Sequence, residues 1–177
     1  MIVAQNSITQ VRAITLWQPW ASLVALGLKL YETRSWLTNY RGKLLIHAAS
    51  ESTHKITHDE INLAWDACRM AGKDSFSREV LDFAYPPYSC IIAIADLTQC
   101  SEMTWLPAVN PPWDQISLNR TCSELSDLEI TVGDWQPGRY AWRLENVKAL
   151  AEPIPYKGKQ GLWVPDADLI EKLGGAV

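Results

Sequence analysis

The sequence predicts an α+β domain: a small mixed β-barrel or curled sheet with helices packed outside. Three observations lead there. Several apolar, β-branched runs are bounded by turn residues, two or three helical patterns stand among them, and the regular strand-helix alternation of a parallel βαβ sheet is missing. The chain has 177 residues, 47% of them hydrophobic, with no internal repeat. One domain spanning residues 1–177 around one core is expected.

The elements can be taken in order. Ala13 to Trp17 (AITLW) reads as a short strand, and Pro19 suits the first helical position, where a missing N–H costs nothing. A helix then runs through WASLVALG, with Trp20, Leu23, Val24 and Leu26 as its apolar stripe and Gly27 as a left-handed stop. Strands are expected over Leu30 to Trp36 and Lys43 to Ala49, joined by a turn at Thr38–Gly42. Thr57-His58-Asp59-Glu60 is a capping-box pattern, in which the threonine hydroxyl and the glutamate carboxylate each cover a free N–H. It opens a helix to Ala71 with Ile61, Trp65 and Cys68 at helical spacing. After Pro86-Pro87, the tract SCIIAIADLTQC is apolar enough for a strand buried on both faces. Glu102 to Asp134 carries Pro107, Pro111 and Pro112 and reads as an irregular insertion with short helices at most. Arg139 to Leu150 predicts a further strand, and Asp166 to Leu173 a final helix.

Composition narrows the function classes. No stretch reaches the roughly 18 to 20 apolar residues of a membrane helix, and the N-terminus lacks a secretion signal, so no membrane partner and a cytoplasmic location are expected. Cys68, Cys90, Cys100 and Cys122 include no CxxC pair, which predicts reduced, mostly buried thiols and no zinc site. His54 and His58 have i, i+4 spacing, but the cap at Thr57 puts them on different elements, so no metal is expected from them. His47 reads as a partly buried, hydrogen-bonded strand residue. There is no serine-hydrolase elbow, phosphate-binding loop or dinucleotide fingerprint, and no cofactor is expected. The net charge of −4 speaks against a general polyanion binder, yet Gly27 to His47 alone carries +3 and leaves −7 for the rest. One basic patch on an acidic body follows as an expectation.

The segment GLKLYETRSW holds the candidate site. Lys29 falls in the turn after the helix, and strand alternation puts Glu32 and Arg34 on one face with Leu30, leaving Tyr31, Thr33 and Ser35 on the other. A compact cation, a carboxylate and a planar five-donor guanidinium emerge together. They could grip an anionic or nucleobase ligand, or form an ordinary surface ion pair with no chemical use. Trp17 and Gln18 stand at the start of the first helix, and Trp17 or Trp36 could stack a base. Tyr156 to Gly161 (YKGKQG) is a short basic loop, in which Lys159 could meet a phosphate and Gln160 a base edge.

The stretch TLWQPWASLVALGLKLYETRSWLTNYRGKLLIHAAS resembles the ASCH domain, a relative of the PUA-like RNA-binding barrels. The family pattern is matched at Pro19, Trp20, Gly27, Lys29, Glu32 and Arg34, and GRYAWRLENV and PIPYKGKQGLW are similar to its closing strands and C-terminal loop. The resemblance covers both ends of the chain and leaves about 51–86 and 102–134 as insertions. It implies a PUA-like mixed β-barrel with a cleft lined by Gly-x-Lys-x-x-Glu-x-Arg, and RNA or a nucleoside as ligand. Some members hydrolyse acetylated cytidine through the lysine and a threonine. This chain holds Glu32 where that threonine stands, and a carboxylate does not replace a hydroxyl nucleophile. Three readings stay open: an RNA or modified-nucleoside binding module, a hydrolase (ribonuclease or nucleoside amidohydrolase) using Lys29 and Glu32, and a protein-interaction adaptor of unknown partner.

Overall fold

A computed structural model of the chain describes residues 10–73, 86–105, 116–118 and 125–174. The N-terminal stretch 1–9, residues 74–85 of the first insertion, and 106–115 and 119–124 of the second, with Cys122, lie outside the described residues. The elements are β1 (Arg12–Leu16), α1 (Trp20–Ala25), β2 (Tyr31–Arg34), β3 (Gly42–Ala48), α2 (His58–Met70), β4 (Cys90–Trp105), β5 (Ile116–Leu118), α3 (Asp127–Val132), β6 (Tyr140–Pro155), β7 (Leu162–Trp163) and α4 (Ala167–Leu173).

The expected α+β class holds: six strands in the order β2-β6-β4-β3-β1-β7 form a curled mixed sheet, a half-barrel, and among the described residues β5 pairs only with the far end of β4. β1 and β3 run parallel and the other neighbours antiparallel. The 16-residue strands β4 and β6 pair along their length with three register shifts, and such bulges bend a strand and increase its twist. Both strands outrun their sequence signals. β4 continues past Cys100 to Trp105, inside the segment expected to be irregular, because β6 and β5 supply its hydrogen bonds there.

α1 packs on one sheet face, where Ala21 and Val24 join Leu16, Leu44, Ile46, Ala95, Trp142 and Leu144 in the main core. α4 covers the other face, with Leu169 and Leu173 against Ala13, Leu45, Ile91 and Trp163. α2 and α3 pack outside α1 through Leu23, Ala64, Ala67, Cys68 and Val132. Each large side chain fully buried in these clusters contributes roughly 1.5–3 kcal/mol.

The Thr57 cap forms as expected, with the threonine hydroxyl accepting from Glu60 N–H and the Glu60 carboxylate reaching back to Thr57 N–H. The buried stripe of α2 differs. Ala64, Ala67 and Cys68 face inward, while Ile61 is half-buried and Trp65 is 44% exposed. Small residues at i, i+3 and i+4 let helix axes approach closely, and Trp65 falls about 100° off that stripe. In α1 the same logic buries Ala21, and leaves Trp20 and Leu26 half-buried.

The loop after β6 is fixed by a buried histidine. His47 Nε2 lies 2.9 Å from the Tyr156 carbonyl and Thr15 Oγ1 donates to the Lys159 carbonyl at 2.8 Å. Burial holds the His47 imidazole below its ordinary range, outweighing that hydrogen bond. Gly158 sits so close that a Cβ there would stand 2.3 Å from His47 Cε1 and 2.9 Å from Thr15 Oγ1. Gly158→Ala is therefore expected to cost about 1–3 kcal/mol by overpacking. Urea unfolding checks this, and an unchanged midpoint would mean that the loop lifts away freely.

Candidate functional site

The end of α1 sets the site. Gly27, at φ +69°, takes the left-handed conformation; Gly27 N–H bonds to Val24 O and Leu28 N–H to Leu23 O, each at 2.9 Å, the paired contacts of a Schellman motif. The reversal turns Lys29 inward, leaving it 1% exposed.

β2 then runs along an edge of the sheet and, among the described residues, pairs only with β6. Because Leu144 N–H bonds to Leu30 O at 2.8 Å, antiparallel parity turns the carbonyls of Tyr31 and Thr33 away from β6. Cationic side chains meet them there. Lys29 Nζ donates to Tyr31 O, and Arg139 Nη2 donates to Thr33 O at 3.2 Å. Arg34 Nη2 crosses to Thr15 O on β1 at 3.1 Å, and so bridges the open side of the half-barrel.

Carboxylates complete the arrangement. Arg34 Nε lies 2.9 Å from Glu32 Oε1, though not aligned for a hydrogen bond, and Arg139 Nη2 lies 3.2 Å from Asp134 Oδ2. Glu129, buried on α3, accepts from Leu30 N–H through Oε1, and its Oε2 has no hydrogen-bond partner among the described residues. Burial lowers the Lys29 ammonium from its ordinary 10.5, against the opposing pull of Glu32, Glu129 and Asp134. Burial raises the Glu129 carboxyl, against the attraction of Lys29.

These groups border a cleft of about 470 Å³, in the size range of small-molecule sites. Lys29, Glu32 and Arg34 all line it, with Thr33, Asp134 and Arg139, and Trp17 and Trp20 supply an aromatic wall. Strand alternation put Thr33 on the opposite face, yet it also lines the cleft, because the chain after α3 folds over that end of β2: Asp134 N–H donates to Thr33 Oγ1 at 3.2 Å. Gly133 makes that wall compact, since a Cβ there would stand 2.2 Å from Trp135 Nε1, which donates to the Glu129 carbonyl.

Other expected site residues fall elsewhere. Gln18 is fully buried, with its amide spent on Pro87 O at 2.8 Å and on Ser22 Oγ at 2.9 Å, so it holds the start of α1 and does not reach the cleft. Trp36 packs edge-on against Trp142, at 4.6 Å between ring centroids, as part of the core boundary. Lys159 and Gln160 lie in an exposed loop outside the cleft lining, the Lys159 ammonium 5.7 Å from the Trp163 ring. The expected basic patch does not converge either. Arg41 donates to the carbonyls of its own turn at Thr38 and Tyr40, and Lys43 pairs with Asp96 at 2.9 Å. Among the described residues no group of three His, Cys, Asp or Glu is placed to hold a metal, and no helix is long and apolar enough to cross a membrane.

Sequence reasoning missed Glu129, Asp134 and Arg139. Their tract lies far along the chain from Lys29, and only the Ser126-x-x-Glu129 spacing, a helix-start pattern, marks it.

The family model of the ASCH domain matches residues 14–154. Among curated proteins, the human and mouse proteins named activating signal cointegrator 1 are each 33% identical to this chain over 88 residues, which is 49% of this chain and 14% of the relative. A crystal structure of a mutant ASCH protein from Zymomonas mobilis aligns over 93% of this chain and 94% of its own, with 17% identity and a TM-score of 0.47.

Proposed function

Because the chain belongs to the ASCH domain family, we propose that it binds RNA or a modified nucleoside, with the base held in the cleft beside Lys29, Glu32 and Arg34. The observation that carries this reading is the joining of those three side chains and two tryptophans on one concave surface. Lys29 uses one of its three donors on Tyr31 O, which leaves others for a base carbonyl or ring nitrogen. Glu32 can accept from a base N–H, while Arg34 fixes its position. Three cations and two carboxylates line the cleft, and the buried carboxyl of Glu129 stands behind Lys29, so charge is close to balanced. A base edge that both donates and accepts suits such a surface better than a bare phosphate.

Hydrolysis is the second reading, and one observation favours it. Burial shifts Lys29 down and Glu129 up, and opposed shifts of neighbouring groups are a pattern of acid–base sites. Against it stands Glu32 at the position of the family's threonine nucleophile.

Short RNAs, nucleosides and acetylated cytidine, titrated calorimetrically and then recovered by chromatography, separate these readings. A binding module retains its ligand intact, and Glu32→Gln or Arg34→Gln is expected to weaken binding at least tenfold, the loss of one charged hydrogen-bonding partner. Product that forms with the wild type and disappears in Glu32→Gln would establish the hydrolase instead. Neither heat nor product from any of the probes would sink both.

A further inference from the structure

Trp17 leaves β1 at the cleft rim with 51% of its surface open. One of its ring faces is nonetheless covered. The His54 imidazole lies against the indole with centroids 4.7 Å apart and planes inclined by 10°. His54 is itself fixed, since Nε2 lies 2.9 Å from Glu60 Oε1. Glu60 is the third residue of α2, and its other oxygen accepts from Thr57 N–H at 2.7 Å and Thr57 Oγ1 at 2.9 Å. A chain of contacts thus runs from the start of a 13-residue helix through a carboxylate and an imidazole to an indole in the cleft. Trp20 approaches the same imidazole at 6.2 Å and an angle of 47°, and its indole N–H is held by Val132 O at 3.1 Å.

We infer that His54 is a positioning residue that holds Trp17 as a stacking plate, and that this plate selects a planar heteroaromatic ligand by the size of its ring face. The inference rests on the reading of the cleft as a nucleoside or RNA site. An indole fixed on one side only by a parallel ring presents its opposite face for a second parallel ring, so a base, Trp17 and His54 form a three-layer stack. Holding the indole before the ligand arrives removes the entropy cost of ordering it during binding. Glu60 therefore has two tasks: it closes the capping box of α2 and it anchors the imidazole. The hydrogen-bonding groups deeper in the cleft read the edge of a base, whereas the plate responds to its area. Purines gain more from it than pyrimidines.

The test compares adenosine, uridine and ribose 5-phosphate as probes of the wild type, His54→Ala, His54→Phe, Trp17→Ala and the His54→Ala/Trp17→Ala double variant, by calorimetry or competition. Thermal unfolding of each confirms that it is folded. His54→Ala should weaken adenosine roughly three- to tenfold, the scale of one aromatic pair, with a smaller loss for uridine and none for ribose 5-phosphate. His54→Phe should return adenosine to within about twofold of the wild type, as it keeps the parallel ring. On the Trp17→Ala background, His54→Ala should cost nothing further, because its effect passes through the indole. Equal losses for all three probes, no rescue by phenylalanine, or an undiminished His54 effect without Trp17 would overturn the inference while leaving the cleft reading intact. A wild type that binds neither nucleoside nor RNA would overturn both.

Discussion

Lys29→Met is expected to lower the unfolding free energy by about 3–5 kcal/mol, the usual consequence of removing one partner from a buried charge arrangement. Lys29 is 1% exposed and sits among Glu32, Glu129 and Asp134, with Arg34 as the competing cation. A methionine fills similar volume, so the loss isolates charge and hydrogen bonding. Two effects add: the carboxylates lose their most buried counter-charge, and Tyr31 O at the sheet edge loses its donor. Guanidinium unfolding of the variant measures the sum. The double variant Lys29→Met/Glu129→Gln should be less destabilised than the separate losses predict, because the second change removes a charge that the first left uncompensated. Strict additivity would show that Lys29 and Glu129 do not sense each other.

Glu129→Ala is the second large effect, expected at about 3 kcal/mol, since it strands Leu30 N–H and removes the carboxylate behind Lys29. Glu129→Gln should cost less, as an amide oxygen can still accept from Leu30. The two substitutions also separate geometry from titration. Burial holds this carboxyl above its ordinary 4.5, so folding takes up a proton between 4.5 and the higher folded value. The stability it contributes is complete below pH 4.5 and lost as pH rises through the folded value. Chemical denaturation of the wild type across that range should show the decline relative to Glu129→Gln. Parallel pH profiles for the two proteins would rule out a raised Glu129.

The contrast between two glutamates shows which parts of this molecule were legible in its sequence. Thr57-x-x-Glu60 and Ser126-x-x-Glu129 are the same local pattern, and both hydroxyls accept from the glutamate N–H. Glu60 reaches back to its own cap, so local spacing was sufficient to place it. Glu129 turns away to Leu30, 99 residues distant in the chain, and no local rule announces that choice. The same division separates Lys29, Glu32 and Arg34, which a helix stop at Gly27 and period-two geometry in the next strand bring together, from Asp134 and Arg139, which reach the cleft through the pairing of β6 with β2. Gln18 and Trp36 stand outside the cleft lining for a related reason. Their residue types suit ligand contact and structural support alike, and the deciding partners, Pro87 and Trp142, come from other elements.

The place of β2 at an edge of the sheet has one more consequence. An uncovered strand edge is a template on which a strand from another molecule can be added, and proteins often block it with positive charge. Here the two outward carbonyls, those of Tyr31 and Thr33, are already taken by Lys29 and Arg139. An incoming chain would have to displace both cations before it could form its first ladder bonds. Two of the cations that line the cleft, Lys29 and Arg139, are therefore also the groups that such a chain would meet first at this edge.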